Sequence, residues 1–227
     1  MRTIYICLIL GLIPFLSQGQ QADKDTALYK SGHYTQRLAI FKSEPVIKGR
    51  IIFLGNSITE FGDWKGLFND PTVINRGIAG DNTYGVLARL NDIIIRKPKK
   101  VFIEIGVNDF ALERGQQHAV RNILSIVKQI HLGSPRTRIY VLSILPTNDN
   151  VKTDYPFAYN KQRETNMINN ELSKASSTNS YYFVGLNKVL RDKNGKLDTK
   201  FAMGDGIHLN KTGYQKYLVL LKSKGFI

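Results

Sequence analysis

Five short apolar runs, each followed by a polar loop or a stretch of helical period, constrain the fold of this chain more than any other feature. Residues 50–54, 73–75, 100–105, 138–144 and 181–184 have the length and β-branched content of buried strands. Residues 83–95, 116–131, 159–176 and 211–222 carry apolar side chains at three- and four-residue intervals, as helices with one buried stripe do. Strands alternating with helices imply a parallel sheet covered on both faces, an α/β domain of three layers (αβα). Such a sheet carries its functional loops at the carboxyl ends of its strands. The chain of 227 residues is long enough for one such domain and too short to need two. The sequence has no internal repeat, low-complexity tract or inter-domain linker. A polar helix is expected over residues 25–44, ending before Pro45 and packing on the outside of the domain. Residues 146–156, rich in Asn, Asp and Pro, read as a long rim loop.

The amino-terminal stretch reads as a secretory signal. Arg2 gives a small basic start, Ile4 to Leu16 an apolar run, and Ser17-Gln18-Gly19 a small-residue cleavage site. The apolar run is shorter than the ~20 residues a membrane-crossing helix needs, which leaves an uncleaved anchor as the competing reading. The expected organisation is a signal peptide over 1–19, a helical segment over 20–49 and the main domain over 50–227, in a protein exported to a periplasmic or extracellular space. The sole cysteine, Cys7, follows Ile6 where a lipoprotein would carry a small residue, so lipidation is not expected. After cleavage no cysteine remains to form a disulfide, a thiol nucleophile or a thiolate metal site, and neither cofactor nor metal is expected. The formal charge of +14 favours anionic partners. The basic residues are scattered, however, with no long tract and no nucleic-acid motif, so a nucleic-acid partner is not expected.

Three small or polar clusters directly follow apolar runs: Gly55-Asn56-Ser57, Gly77-Ile78-Ala79-Gly80-Asp81 and Gly106-Val107-Asn108-Asp109. On the carboxyl-end rule the three loops meet at one rim. Ser57 either caps a helical turn or is a nucleophile, and an unassisted serine is a weak one, so the second reading requires an imidazole. Of His33, His118, His131 and His208, the first three lie in predicted helical segments. His208 lies in the glycine-bearing loop Met203-Gly204-Asp205-Gly206-Ile207-His208 before the last helix, three residues after a carboxylate. A turn there either exposes and caps, or folds Asp205 onto Nδ1 and leaves Nε2 free to take a proton. Acyl transfer also needs oxyanion donors. The N–H groups of Ser57 and Gly80 and the amide of Asn108 stand at the same rim, although Gly80 also suits a plain turn and Asn108 a plain cap.

The order and spacing of these blocks resemble the SGNH hydrolases, the GDSL-like esterase and lipase superfamily. Its four blocks are matched in order by Gly55-Asn56-Ser57-Ile58-Thr59, Gly77-Ile78-Ala79-Gly80-Asp81, Gly106-Val107-Asn108-Asp109 and Asp205-Gly206-Ile207-His208, from about Arg50 to the carboxyl terminus. The resemblance implies a flavodoxin-like five-stranded parallel sheet. It makes Ser57 the nucleophile, Asp205 and His208 the rest of the triad, and Ser57, Gly80 and Asn108 the oxyanion hole. Residues 75–82 and 86–90 look like the branch similar to platelet-activating-factor acetylhydrolase subunits, which bacterial carbohydrate and sialate O-acetylesterases also resemble. One position departs: Asn56 stands where the superfamily usually has Asp, keeping a hydrogen-bonding oxygen but no charge, and altered tuning beside the serine is expected.

The reading that follows is an exported serine esterase acting on small acyl esters, with a small-molecule or carbohydrate ester such as acetylated sialic acid as its partner. Phospholipid or lysophospholipid acyl hydrolysis is the alternative, and a non-catalytic carbohydrate-binding module on the same scaffold is a further one. No amphipathic membrane-binding segment is evident, so stable membrane insertion is not expected. The sequence lacks the Gly-x-Ser-x-Gly elbow of α/β-hydrolases and the His-Glu-x-x-His of zinc hydrolases. Trp64, the single tryptophan, either flanks the site or packs a short helix on the sheet.

Overall fold

The structure, a computed structural model, describes residues 29–112, 117–151 and 155–227. The expected signal peptide and residues 25–28 of the expected first helix lie outside the described residues.

Five strands, β1 (Ile51–Gly55), β2 (Ile74–Gly77), β3 (Lys100–Glu104), β4 (Arg138–Leu142) and β5 (Tyr182–Val184), form one sheet in the order β2-β1-β3-β4-β5. All neighbours run parallel. Each strand matches one of the five apolar runs to within two residues at either end. Among the described residues the helices are α1 (Gly32–Ser43), α2 (Ser57–Glu60), α3 (Trp64–Phe68), α4 (Thr83–Ala88), α5 (Leu90–Ile95), α6 (Gln117–Gly133), α7 (Gln162–Ala175), α8 (Leu186–Val189) and α9 (Lys211–Ser223), with a 3₁₀ turn over Val107–Ala111.

The two faces of the sheet follow from side-chain alternation along each strand. Ile52, Leu54, Val101, Ile103, Ile139 and Val141 point to one side, where they meet Val86 of α4, Leu90 and Ile93 of α5, and the buried stripes of α6 and α7. Phe53, Phe102, Tyr140 and Leu142 point to the other, beneath Trp64, Leu186, Tyr214, Tyr217 and Leu221. This second layer is aromatic: Phe53 stacks on Trp64 with centroids 3.8 Å apart and on Phe102 at 4.8 Å, and Phe102 stacks on Tyr140 at 4.6 Å. Trp64 is buried there, and its Nε1 donates to the Thr59 carbonyl at 2.7 Å. Its role is therefore packing rather than flanking the site.

Three further expectations need correction. The helical stretch 83–95 is two helices, broken at Arg89, where φ is −111° and ψ is 9°. The break turns Arg89 inward to bond the Arg76 and Gly55 carbonyls and the Asp81 carboxylate, a gain that offsets the lost helical turn. Helix α7 begins at Gln162 rather than at 159, because Tyr159 instead turns its hydroxyl onto the Asp205 carbonyl. Helix α1 begins at Gly32, where the Ser31 hydroxyl caps it by accepting from the Tyr34 N–H, so residues 29–31 of the expected helix lie outside it; its packing of Tyr34 and Phe41 on Ile78, outside the sheet, is as expected. The strand order reverses direction between β1 and β3, the place where parallel α/β sheets open a crevice.

Candidate active site

Ser57 opens α2 directly after β1. The turn is held by Asn56, whose Oδ1 accepts from the Ile58 N–H at 2.9 Å, so the residue that replaces the usual Asp keeps the capping role with its oxygen alone. Its Nδ2 is buried without a partner among the described residues. Gly55 must be glycine: a Cβ there would lie 2.0 Å from the Glu104 carbonyl oxygen on β3. The nucleophile turn and the neighbouring strand are thus in direct backbone contact.

His208 approaches from the loop before α9 and places Nε2 2.8 Å from Ser57 Oγ. Its Nδ1 lies 2.5 Å from Asp205 Oδ2, while Asp205 Oδ1 accepts from the N–H groups of Ile207 and His208 at 2.9 and 3.0 Å. A carboxylate at Nδ1 fixes the tautomer whose bare Nε2 faces the serine. Burial pushes the Asp205 carboxyl up, but its bonds to the His208 ring and to the two backbone N–H groups outweigh this and hold it below the usual range. The loop's shape depends on Gly206, in the left-handed region with φ at +68°, where a Cβ would strike the Asn148 carbonyl oxygen at 2.1 Å. Asn148 N–H in turn donates to the Gly206 carbonyl at 2.8 Å, so part of the 146–156 loop braces the imidazole loop.

Gly80, with φ at +79°, and Asn108 line the same cavity as Ser57 and His208. The cavity measures about 380 Å³ and is otherwise walled mainly by Phe61, Val107, Ala111, Tyr155, Phe157 and Ile207. Asn108 Nδ2 uses one hydrogen on the Asp81 carbonyl at 2.8 Å, which ties the β3 loop to the β2 loop and leaves the second hydrogen for another acceptor. The structure thus brings all five expected residues, Ser57, Gly80, Asn108, Asp205 and His208, to one rim. The other three histidines lie elsewhere: His33 bonds Glu60, His118 bonds Asp109 in a buried contact, and His131 bonds the Ser180 carbonyl.

Several supporting residues were given no role in the sequence reading. Glu60, at the end of α2, accepts from the Ala79 N–H at 2.6 Å and pairs with Arg37 and His33 of α1, holding the loop that carries Gly80. It lies three residues after the serine on the same short helix, but nothing in the local sequence pairs it with Ala79. Asp81 and Arg89 form a buried ion pair at 2.8 Å, and burial pushes the Asp81 carboxyl up to about 6 against the pull of Arg89. Asp109 accepts from both the N–H and the hydroxyl of Thr83, locking the 3₁₀ turn that carries Asn108 onto α4. An arginine amid the apolar positions of an amphipathic helix was the readable sign of the first pair; nothing local announced the second.

A parallel three-layer α/β domain whose switch-point crevice holds a serine, an imidazole and a carboxylate in hydrogen-bonded line defines a hydrolase that acts on esters. The chain belongs to the GDSL-like lipase/acylhydrolase family, whose profile matches residues 53–216. It is 27% identical over 172 residues to the human platelet-activating factor acetylhydrolase IB subunit alpha1, covering 72% of this chain and 70% of that one. Among solved structures, a chain from Streptococcus pneumonia described provisionally as a platelet activating factor superposes with a TM-score of 0.73 at 26% identity, over 90% of this chain and 96% of that chain. An acetylxylan esterase from Geobacillus stearothermophilus shares the fold, with a TM-score of 0.61 at 18% identity, over 81% and 98% of the two chains.

Proposed function

We propose that this protein is an exported serine esterase that removes small acyl groups, acetyl above all, from a carbohydrate alcohol. The observation that carries the reading is the unbroken line Asp205, His208, Ser57 opening on the same small cavity as Gly80 and Asn108. In this mechanism Ser57 Oγ attacks the ester carbonyl carbon as His208 Nε2 takes its proton. The oxyanion is met by the N–H groups of Ser57 and Gly80 and by the remaining Asn108 hydrogen. His208 then returns the proton to the leaving alcohol, and a water deprotonated by the same nitrogen hydrolyses the acyl-serine. Asp205 orients the imidazole and stabilises its charged form throughout.

The cavity volume of about 380 Å³ is near the low end for small-molecule sites, which supports a short acyl group. The acetyl preference is also common to the names of the relatives, a phospholipid acetylhydrolase and an acetylxylan esterase. The first of these favours a second reading, in which the alcohol is a phospholipid. Acetate release from acetylated xylan, O-acetylated sialic acids, pectin, peptidoglycan and an acetylated phospholipid separates the two; release from the phospholipid alone replaces the carbohydrate reading with the second. In the same assay Ser57→Ala and His208→Ala are expected to abolish turnover, and near-wild-type rates in either variant overturn the mechanism. With p-nitrophenyl esters, a rate that stays level or rises from acetyl to long acyl chains overturns the acetyl preference. Export rests on residues 1–19; a mature chain beginning at Gln20 in the extracytoplasmic fraction is the expected result, and an intact amino terminus the contrary one.

A further inference from the structure

Two aromatic rings beside the imidazole play no part in the chemistry above. Phe61, the residue that ends α2, is 52% exposed, and its ring centroid lies 5.1 Å from that of His208. Tyr155, from the rim loop, is 39% exposed, with its centroid 5.8 Å from His208 and its plane at 83° to the imidazole. Both line the cavity. Large rings left in water at the mouth of a site represent unsatisfied contact area, and of the exposed aromatic rings these two lie against the imidazole, whereas Tyr182, 52% exposed, stands at the edge strand against Tyr140.

The chemistry says which half of the ester meets them. The leaving alcohol oxygen must come within hydrogen-bond reach of His208 Nε2 to receive its proton. The alcohol therefore sits against the imidazole, where Phe61 and Tyr155 are, while the carbonyl oxygen is held by Gly80 and Asn108. Among the described residues lining the cavity, none is Lys, Arg, Asp or Glu. Among the described residues the wall beside the leaving group is thus aromatic and uncharged, which suits an alcohol with a flat C–H face and no ionic group.

Resting on the esterase reading above, we infer that Phe61 and Tyr155 form an alcohol-side subsite that stacks a neutral sugar ring and so sets the specificity of the enzyme. Among the described residues no charged side chain lines this wall, so a ring there is held by stacking rather than by an ionic contact.

The test compares an O-acetylated methyl β-xylopyranoside with methyl acetate, which has no ring to stack; aryl acetates are unsuitable as the reference because their own ring would occupy the subsite. For Phe61→Ala and Tyr155→Ala, the ratio of kcat/KM on the sugar ester to that on methyl acetate is expected to fall ~10-fold per ring, mostly through KM, the effect of losing one aromatic contact. Phe61→Tyr is expected to restore the ratio. Because both rings are partly exposed, folding is checked by an unchanged melting temperature. An unchanged ratio in both alanine variants overturns the subsite while leaving the esterase reading intact. A wild-type enzyme that cleaves methyl acetate but no acetylated sugar overturns the carbohydrate reading and the ring specificity together. Preference for O-acetylated sialic acid over the xyloside, kept in both variants, assigns the alcohol to other residues and also overturns the proposal.

Discussion

Asn108 ties two loops together with the same amide that the proposed mechanism uses, and this makes it the most informative single residue. One hydrogen bonds the Asp81 carbonyl, which leaves the other for the proposed oxyanion contact. Asn108→Ala is expected to lower kcat by roughly 10²–10³ with a smaller change in KM, since the donor acts most strongly on the developing charge; a change confined to KM, measured in steady-state assays on an acetyl ester, would be the contrary result. The meeting of Ser57, Gly80, Asp205 and His208 at one rim was legible because each lies in a short block with a fixed local geometry. Glu60 and Tyr159 were not. Their partners, the Ala79 N–H and the Asp205 carbonyl, lie 19 and 46 residues away, and no local pattern encodes a contact of that kind.

At the scale of elements, the break between α4 and α5 trades a helical turn for a joint. Arg89 reaches from that break to the ends of both β1 and β2 and to Asp81, the residue after Gly80. Arg89→Met would leave Asp81 buried without its counter-ion, and one-sided removal of a buried pair typically costs ~3–5 kcal/mol. The expected outcome is a lower midpoint in denaturant together with a reduced kcat, because the Gly80 loop loses its anchor; a variant with wild-type stability and rate would refute the joint. Helix period predicted an amphipathic segment here and missed the break, since apolar spacing reports which face is buried and not whether a polar side chain pulls the backbone inward. The short helices α2, α3 and α8, of four or five residues, fall below the length at which period can be read at all.

For the molecule as a whole, the unusual feature is a carboxyl group with no partner. Glu104 ends β3 on the aromatic face of the sheet, fully buried, with neither carboxylate oxygen hydrogen-bonded among the described residues. Burial alone pushes its carboxyl up from 4.5 to about 8. The folded chain therefore keeps this proton over a range where the unfolded chain has lost it, and stability from this group falls as pH rises from about 4.5 to about 8. Asp81 acts in the same direction, but its folded-state value of about 6 ends its window sooner. Between pH 6 and 8 the wild type is thus expected to lose stability that Glu104→Gln does not, with a ceiling of ~3 kcal/mol at 1.4 kcal/mol per unit. Chemical denaturation of both proteins across that range is the check, and parallel curves would show that Glu104 is ionised in the fold.

By itself the amino-acid sequence determined the layers of this protein and the order of the blocks that meet at its candidate site. Both are written in local terms: alternation and helical period declare which faces are apolar, and glycine-rich turns after strands declare where loops are tight. Only the tertiary structure decided how those blocks are held and what surrounds them. The Asn108 to Asp81 tie and the Glu60 and Arg89 anchors are made when strand order brings β1, β2 and β3 side by side, and the bracing of the His208 loop by Asn148 when the loop after β4 meets the segment before α9. The same is true of the two rings beside the imidazole: Phe61 and Tyr155 are 94 positions apart, and only the folded chain sets both against His208.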